Sequence, residues 1–368
     1  MRLFILLFFS LGFVACDSAP RSPFDGPDDD PDRPPAATLC TLPDEQIVSG
    51  GPGKDGIPAL TNPATIDAGD ATYLAESDRI IGLIFEGEPL AIPHNVLWWH
   101  EIVNYNFPSA RLAVTYCPLT GSSIVFDRAN IGDAELGVSG LLYNNNLIMY
   151  DRNTDEALWS QMLSGAGCNS SKETALATRA HIEMTWAGWK ALYPDTKVLS
   201  PSTGHTRDYS RYPYGDYERL DNSNLLFPQL PWDQRRLPKE RALGIPLVEG
   251  EGIVFPFGEL DALGAMAAVE TFYNETDYLI LWDRGKQAAT AFYPMTTDGE
   301  AVRIVSENEI LVDATTGSEW GVDGLARTGA MAGKRLQPVE EAYVAFWFAW
   351  ATFHPNLELY TRSSAKAL

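Results

Sequence analysis

Basic residues are scarce in this chain: 27 Lys and Arg stand against 49 Asp and Glu, leaving a formal charge of −22 over 368 residues. A balance this negative repels phosphate backbones and anionic headgroups, which argues against nucleic acid as a partner and against polybasic membrane docking. Histidine and cysteine are few, five and four, and no His-Glu-x-x-His helix or phosphate-cradling Gly loop occurs. Ser122 in Gly121-Ser122-Ser123 lies outside any Gly-x-Ser-x-Gly elbow, so hydrolase and nucleotide readings of those kinds lose their usual support. Beyond the first fifteen residues no apolar run reaches spanning composition, and no further transmembrane helix is expected.

That first stretch has an address. Arg2 precedes the apolar run Leu3 to Phe9, and Leu11-Gly12-Phe13-Val14-Ala15 leads to Cys16. A short apolar segment, a small residue before the cleavage point and a thiol to carry lipid read as a signal peptide (1–15) ending in a lipobox, with Cys16 the lipidation site. Residues 16–40 are dense in Pro and Asp. Such a segment cannot bury enough surface to offset its chain entropy, so it reads as a tether. The protein is therefore expected outside the cytoplasm, touching a bacterial membrane through its lipid anchor only.

The body shows a repeat. Arg79-Ile80-Ile81-Gly82 is echoed by Arg241-Ala242-Leu243-Gly244, Asp151 and Trp159 by Asp313 and Trp320, and TWAGWKALYPDTKVLS by FWFAWATFHPNLELYT, at offsets of 161 or 162. Offsets this constant imply two copies of one unit, 78–203 and 240–368, behind an N-terminal extension (41–77) and joined by a linker (204–239). Runs such as Arg111 to Cys117, Ser122 to Arg128 and Leu147 to Asp151 read as strands, Asn144-Asn145-Asn146 as a hairpin turn, and Ile182 to Leu192 and Val339 to Phe353 as closing helices whose tryptophans are core. The expected fold is α+β, sheet-dominated, with two similar halves from an internal duplication.

The sharpest cluster of reactive side chains lies in the first copy, where Trp98-Trp99-His100-Glu101-Ile102-Val103-Asn104 precedes the strand ending in Cys117-Pro118-Leu119-Thr120. Carrying the repeat register through places Asp283 opposite Cys117, so the second copy lacks the thiol. From about Ile47 to about Tyr217 the chain resembles a bacterial domain-of-unknown-function family of exported proteins, through SGGPGKDGIPAL, WHEIVNY, TYCPLTGSSIVFDR, GVSGLLYNNNLIMYDR, LWSQ and TGHTRDYSRYPYGDY. That resemblance supplies no activity. It adds Asn104, Ser139, Asp151 and Arg207 as site neighbours, and it implies a second Cys where this chain has Thr120.

Three readings follow. In the first, His100 and Cys117 hold a copper or zinc ion, with Glu101 or Asp151 completing the set. In the second, Cys117 is a nucleophile, His100 its base and Glu101 or Asn104 the orienter, giving a transferase or hydrolase. In the third, Cys117 and His100 pack, and the protein is a cell-surface binding module whose ligand groups lie in the strip Arg207 to Tyr217. The ligand, metal or small molecule, stays open, as does the pairing of Cys40, Cys117 and Cys168.

Overall fold

Alternating and β-branched runs bounded by Gly, Asn and Asp dominate the chain, and they fold as strands. The computed structural model describes residues 42–43, 46–154, 157–164, 167–168, 175–227, 229, 233–247 and 250–362. The architecture is sheet-dominated, with six sheets and four short α-helices among the described residues. None of those helices is long and apolar enough to cross a membrane.

In the first half Ile182–Thr185 pairs antiparallel with Arg79–Phe85, which pairs antiparallel with Glu88–Pro93, which in turn pairs parallel with Lys197–Leu199. Tyr343–Phe346, Arg241–Pro246, Gly252–Pro256 and Glu358–Leu359 take the same order and senses in the second half. A three-strand meander follows in each: Ile102–Asn106, Arg111–Cys117 and Ser122–Asp127 in one, Met266–Tyr273, Thr276–Asp283 and Ala288–Thr296 in the other. Cys117 pairs with Ser122 and Asp283 with Ala288, so both close their strands at the equivalent turn. The extension is woven into the first half, since Ile47–Ser49, Leu60–Thr61 and Thr65–Asp67 each join a different sheet.

The strand Arg111–Cys117 and the turn at Asn144 and Asn145, both at positive φ, form as the sequence predicts. The closing helices are shorter than expected. Ile182–Thr185 and Tyr343–Phe346 are strands, and the helices are Trp186–Leu192 and Trp347–Phe353. β-Branched and aromatic residues ahead of each helix find a sheet edge to pair with, and Thr185 then caps its helix by accepting from the Gly188 N–H at 3.2 Å.

Trp186, Trp189, Trp347 and Trp350 are core residues. Gly82 and Gly244, at corresponding positions of the two halves, let Trp189 and Trp350 lie directly on the sheet: a Cβ added at either would stand 2.2 Å or 2.4 Å from the indole. Gly82→Ala and Gly244→Ala should each cost about 1–3 kcal/mol in urea denaturation, because a rigid ring against backbone cannot yield. Unchanged midpoints in both variants would refute that packing.

Candidate functional site

Pro93 starts the helix His94–His100, and Glu101 ends it with φ +54, a positive value uncommon for a residue with a Cβ. Two backbone bonds fix that turn: the Glu101 N–H donates to Leu97 O at 2.8 Å, and Glu101 O accepts from the Tyr116 N–H at 2.8 Å. Reversal of the chain at this residue sends neighbouring side chains to different places. His100 turns to Pro58 and Tyr209, whereas Glu101 lines a cavity of about 400 Å³.

The cavity is mostly apolar. Its floor and sides are Leu119, Val138, Leu142 and Leu147, and two covering segments complete it: the Gly-rich loop with Gly50, Pro52 and Ile57, and the linker with Tyr214, Leu226 and Phe227. Phe227 is held from both sides by Asn145, whose amide donates to Phe227 O at 2.9 Å while its Oδ1 accepts from the Phe227 N–H at 3.0 Å. Among the described residues no Lys, Arg or His lines the space. Glu101 is buried and has no hydrogen-bond or ion-pair partner among the described residues. Burial alone pushes its carboxyl up to about 8. Tyr214 is raised as well, first by burial and then by Glu101 and Cys117.

His100 does not meet Cys117. Its Nδ1 lies 2.7 Å from Pro58 O, which can only accept, so Nδ1 carries the proton; Nε2 then accepts from Tyr209 OH at 2.7 Å. Both ring nitrogens are thus occupied, and burial lowers the imidazole to about 4. The Cys117 thiol is buried and unpaired, and faces Asn145 O at 3.4 Å. Burial, and then Glu101, push it up to about 11, so it keeps its proton at neutral pH. Cys117 packs in the cluster containing Ala113, while Tyr209 packs with Val114 and Tyr116 on the other face of the same strand. The expected His100–Cys117 couple therefore has no geometric counterpart, either as base and nucleophile or as ligands. Among the described residues no three His, Cys, Asp or Glu side chains converge on a common point, so the residues present do not fit the expected copper or zinc ion. Cys16, Cys40 and the side chain of Cys168 lie outside the described residues, and with them the lipidation and pairing expectations.

The other expected neighbours hold the scaffold. The Asn104 amide donates to Leu60 O and Leu136 O, and its Oδ1 accepts from the Leu136 N–H, stitching three strands. Ser139 donates to Ile148 O, and Asp151 accepts from the Asn153 N–H at its turn. Arg207 is exposed above the Trp99 ring. The strip it opens folds over the first half: Tyr209 reaches His100, Tyr212 packs edge-on against Trp98, and Tyr217 donates to Leu119 O at 2.9 Å. Thr120 belongs to a fully buried network with Ser122, Asn146 and Gln161. The cavity itself is not expected from the sequence, although Gly50, Pro52 and Ile57 lie in a motif already singled out and Tyr214 in the strip given as candidate ligand groups; Leu226 and Phe227 lie outside both.

No curated protein and no solved structure matches this chain. A family model described as a protein of unknown function, DUF3179, matches residues 54–357 and so takes in both halves. The chain belongs to that family.

Proposed function

We propose that the protein is a non-catalytic binding module outside the cytoplasm, tethered to a bacterial membrane by lipid on Cys16, and that the Glu101 cavity takes a small, mainly apolar molecule. One observation carries the reading: an apolar cavity of about 400 Å³ covered by two segments from distant parts of the chain, the kind of concavity in which small ligands bury most of their surface. The address rests on the apolar leader, the Cys16 lipobox and the Pro/Asp-rich tether. We infer also that the halves descend from one duplicated unit, supported by the constant sequence offset, the matched strand order and the paired Gly–Trp contacts.

The test uses the full chain carrying Cys16→Ser, which removes the expected lipid, titrated with the uncharged fluorophore N-phenyl-1-naphthylamine. Saturable binding to one site is expected, weakened about tenfold or more by Leu226→Trp, which crowds the cavity, and unchanged by Leu220→Trp, a control at another exposed leucine of the linker. Equal binding by all three proteins, or none by any, would end the reading.

A further inference from the structure

Seven carboxylate side chains are buried among the described residues, and six of them have their charge answered within the protein. Asp127 pairs with Arg179, Glu183 with Arg79 and Arg241, Asp283 with Lys286, and Asp323 with Arg327. Asp151 and Asp313 instead accept backbone N–H groups at their turns. Glu101 has neither. It stands on a backbone fixed at both its N–H and its C=O, against a cavity to whose wall no described residue brings a basic side chain.

No described residue answers the charge of this group once it ionises, and the surroundings select what can answer it from outside. Two aromatic rings in the wall, Tyr214 and Phe227, present faces that attract a cation. Leucine and valine side chains require the rest of the molecule to be apolar. A net charge of −22 draws cations toward the protein and repels anions.

We infer that the cavity takes a primary or secondary ammonium group carried on a small apolar body, with Glu101 as the residue that sets this specificity. The inference rests on the cavity being a binding site. Binding is linked to protons in a way no packing role would produce. The free protein holds Glu101 protonated at neutral pH, because burial raises its carboxyl to about 8; an arriving ammonium ion stabilises the carboxylate, and the carboxyl proton leaves to the buffer. Per ligand bound, one N–H···O contact forms, one O–H bond breaks and one proton is released, with charge conserved.

The same Cys16→Ser chain tests this in calorimetry at pH 6.5, with 2-phenylethylamine against its neutral isostere 2-phenylethanol, in cacodylate and in Bis-Tris. The amine should bind about tenfold or more tighter than the alcohol, since its contact is charge-assisted. The buffer dependence of its enthalpy should report close to one proton released. Glu101→Gln, which keeps the shape and a hydrogen-bonding side chain but cannot ionise, should bring amine and alcohol to similar affinity and abolish the proton release, while N-phenyl-1-naphthylamine still binds. Should amine and alcohol bind the wild type equally, without proton release, the ammonium assignment is overturned although dye binding leaves the cavity intact as a site. Failure of the dye to bind the wild type would remove the cavity reading and this inference with it.

Discussion

Replacing Glu183 by alanine is expected to destabilise the fold by about 3–5 kcal/mol, the range for breaking a buried ion pair and leaving its partner uncompensated. Glu183 has no exposed side-chain surface, and it lies 2.6 Å from Arg79 and 2.9 Å from Arg241, arginines at the start of corresponding strands in the two halves. It also accepts from Ser123 Oγ at 2.5 Å. Removing it leaves Arg79 without an acidic partner among the described residues and Arg241 with the more distant Glu218, at 3.5 Å. The same cluster makes the protein acid-labile. Arg79 and Arg241 outweigh the desolvation of Glu183 and hold its carboxyl down at about 2 against 4.5. A depressed folded value means stability that is present above pH 4.5 and lost as pH falls towards 2. His94, 3.6 Å from Glu183, is held neutral by burial, its value lowered to about 3 from 6.5. The unfolded chain takes up that proton first, so the histidine adds a loss of stability that begins near pH 6.5. Urea midpoints measured from pH 7 to 3 check both: wild type should decline steeply below pH 5, and Glu183→Ala should start far lower and decline less. A variant within 1 kcal/mol of wild type would show that the arginines find other partners.

None of this cluster could be read from the sequence, although its arginines were. Arg79 and Arg241 stand out in the sequence as the paired openings of the expected repeats, but Glu183 is one acid among many until the strand Ile182–Thr185 pairs with Arg79–Phe85 and brings it between them. Local signals fared better. The run Arg111 to Cys117 is a strand because its composition and its bounding turns agree, and Asn144-Asn145 turns because asparagine accepts positive φ. Where apolar runs were continuous, as from Tyr343 to Phe353, period alone could not separate the strand from the helix that follows it.

The site divides along the same line. His100, Glu101 and Cys117 were legible as the chemistry-bearing residues of the first half, but their relation was not. Adjacency in sequence suggested His100 and Glu101 working together on Cys117. The positive φ at Glu101 separates them, sending the imidazole to Pro58 and Tyr209 and leaving the carboxyl in a cavity. That cavity is built from segments around residues 50–57, 138–147 and 214–227, too far apart for any motif to announce it.

Glu101→Gln should give the opposite pH signature to the Glu183 variant, and in a different window. The wild-type carboxyl is raised from 4.5 to about 8 by burial, so between those values the folded state holds a proton that the unfolded chain has released. Stability from this group is complete below pH 4.5 and is lost as pH rises to 8, with a slope approaching 1.4 kcal/mol per pH unit and a total of at most about 5 kcal/mol. Glutamine has nearly the same shape, keeps the backbone turn and cannot ionise. Wild type and Glu101→Gln should therefore unfold at similar urea concentrations near pH 4.5 and diverge steadily above it, the variant being the more stable by several kcal/mol at pH 8. The two carboxyls together confine maximum stability of the wild type to mildly acidic conditions, since Glu183 removes stability on one side and Glu101 on the other. Parallel midpoint curves for wild type and Glu101→Gln between pH 4.5 and 8 would mean that water reaches this carboxyl freely, and an open, hydrated Glu101 would have no need of an ammonium partner.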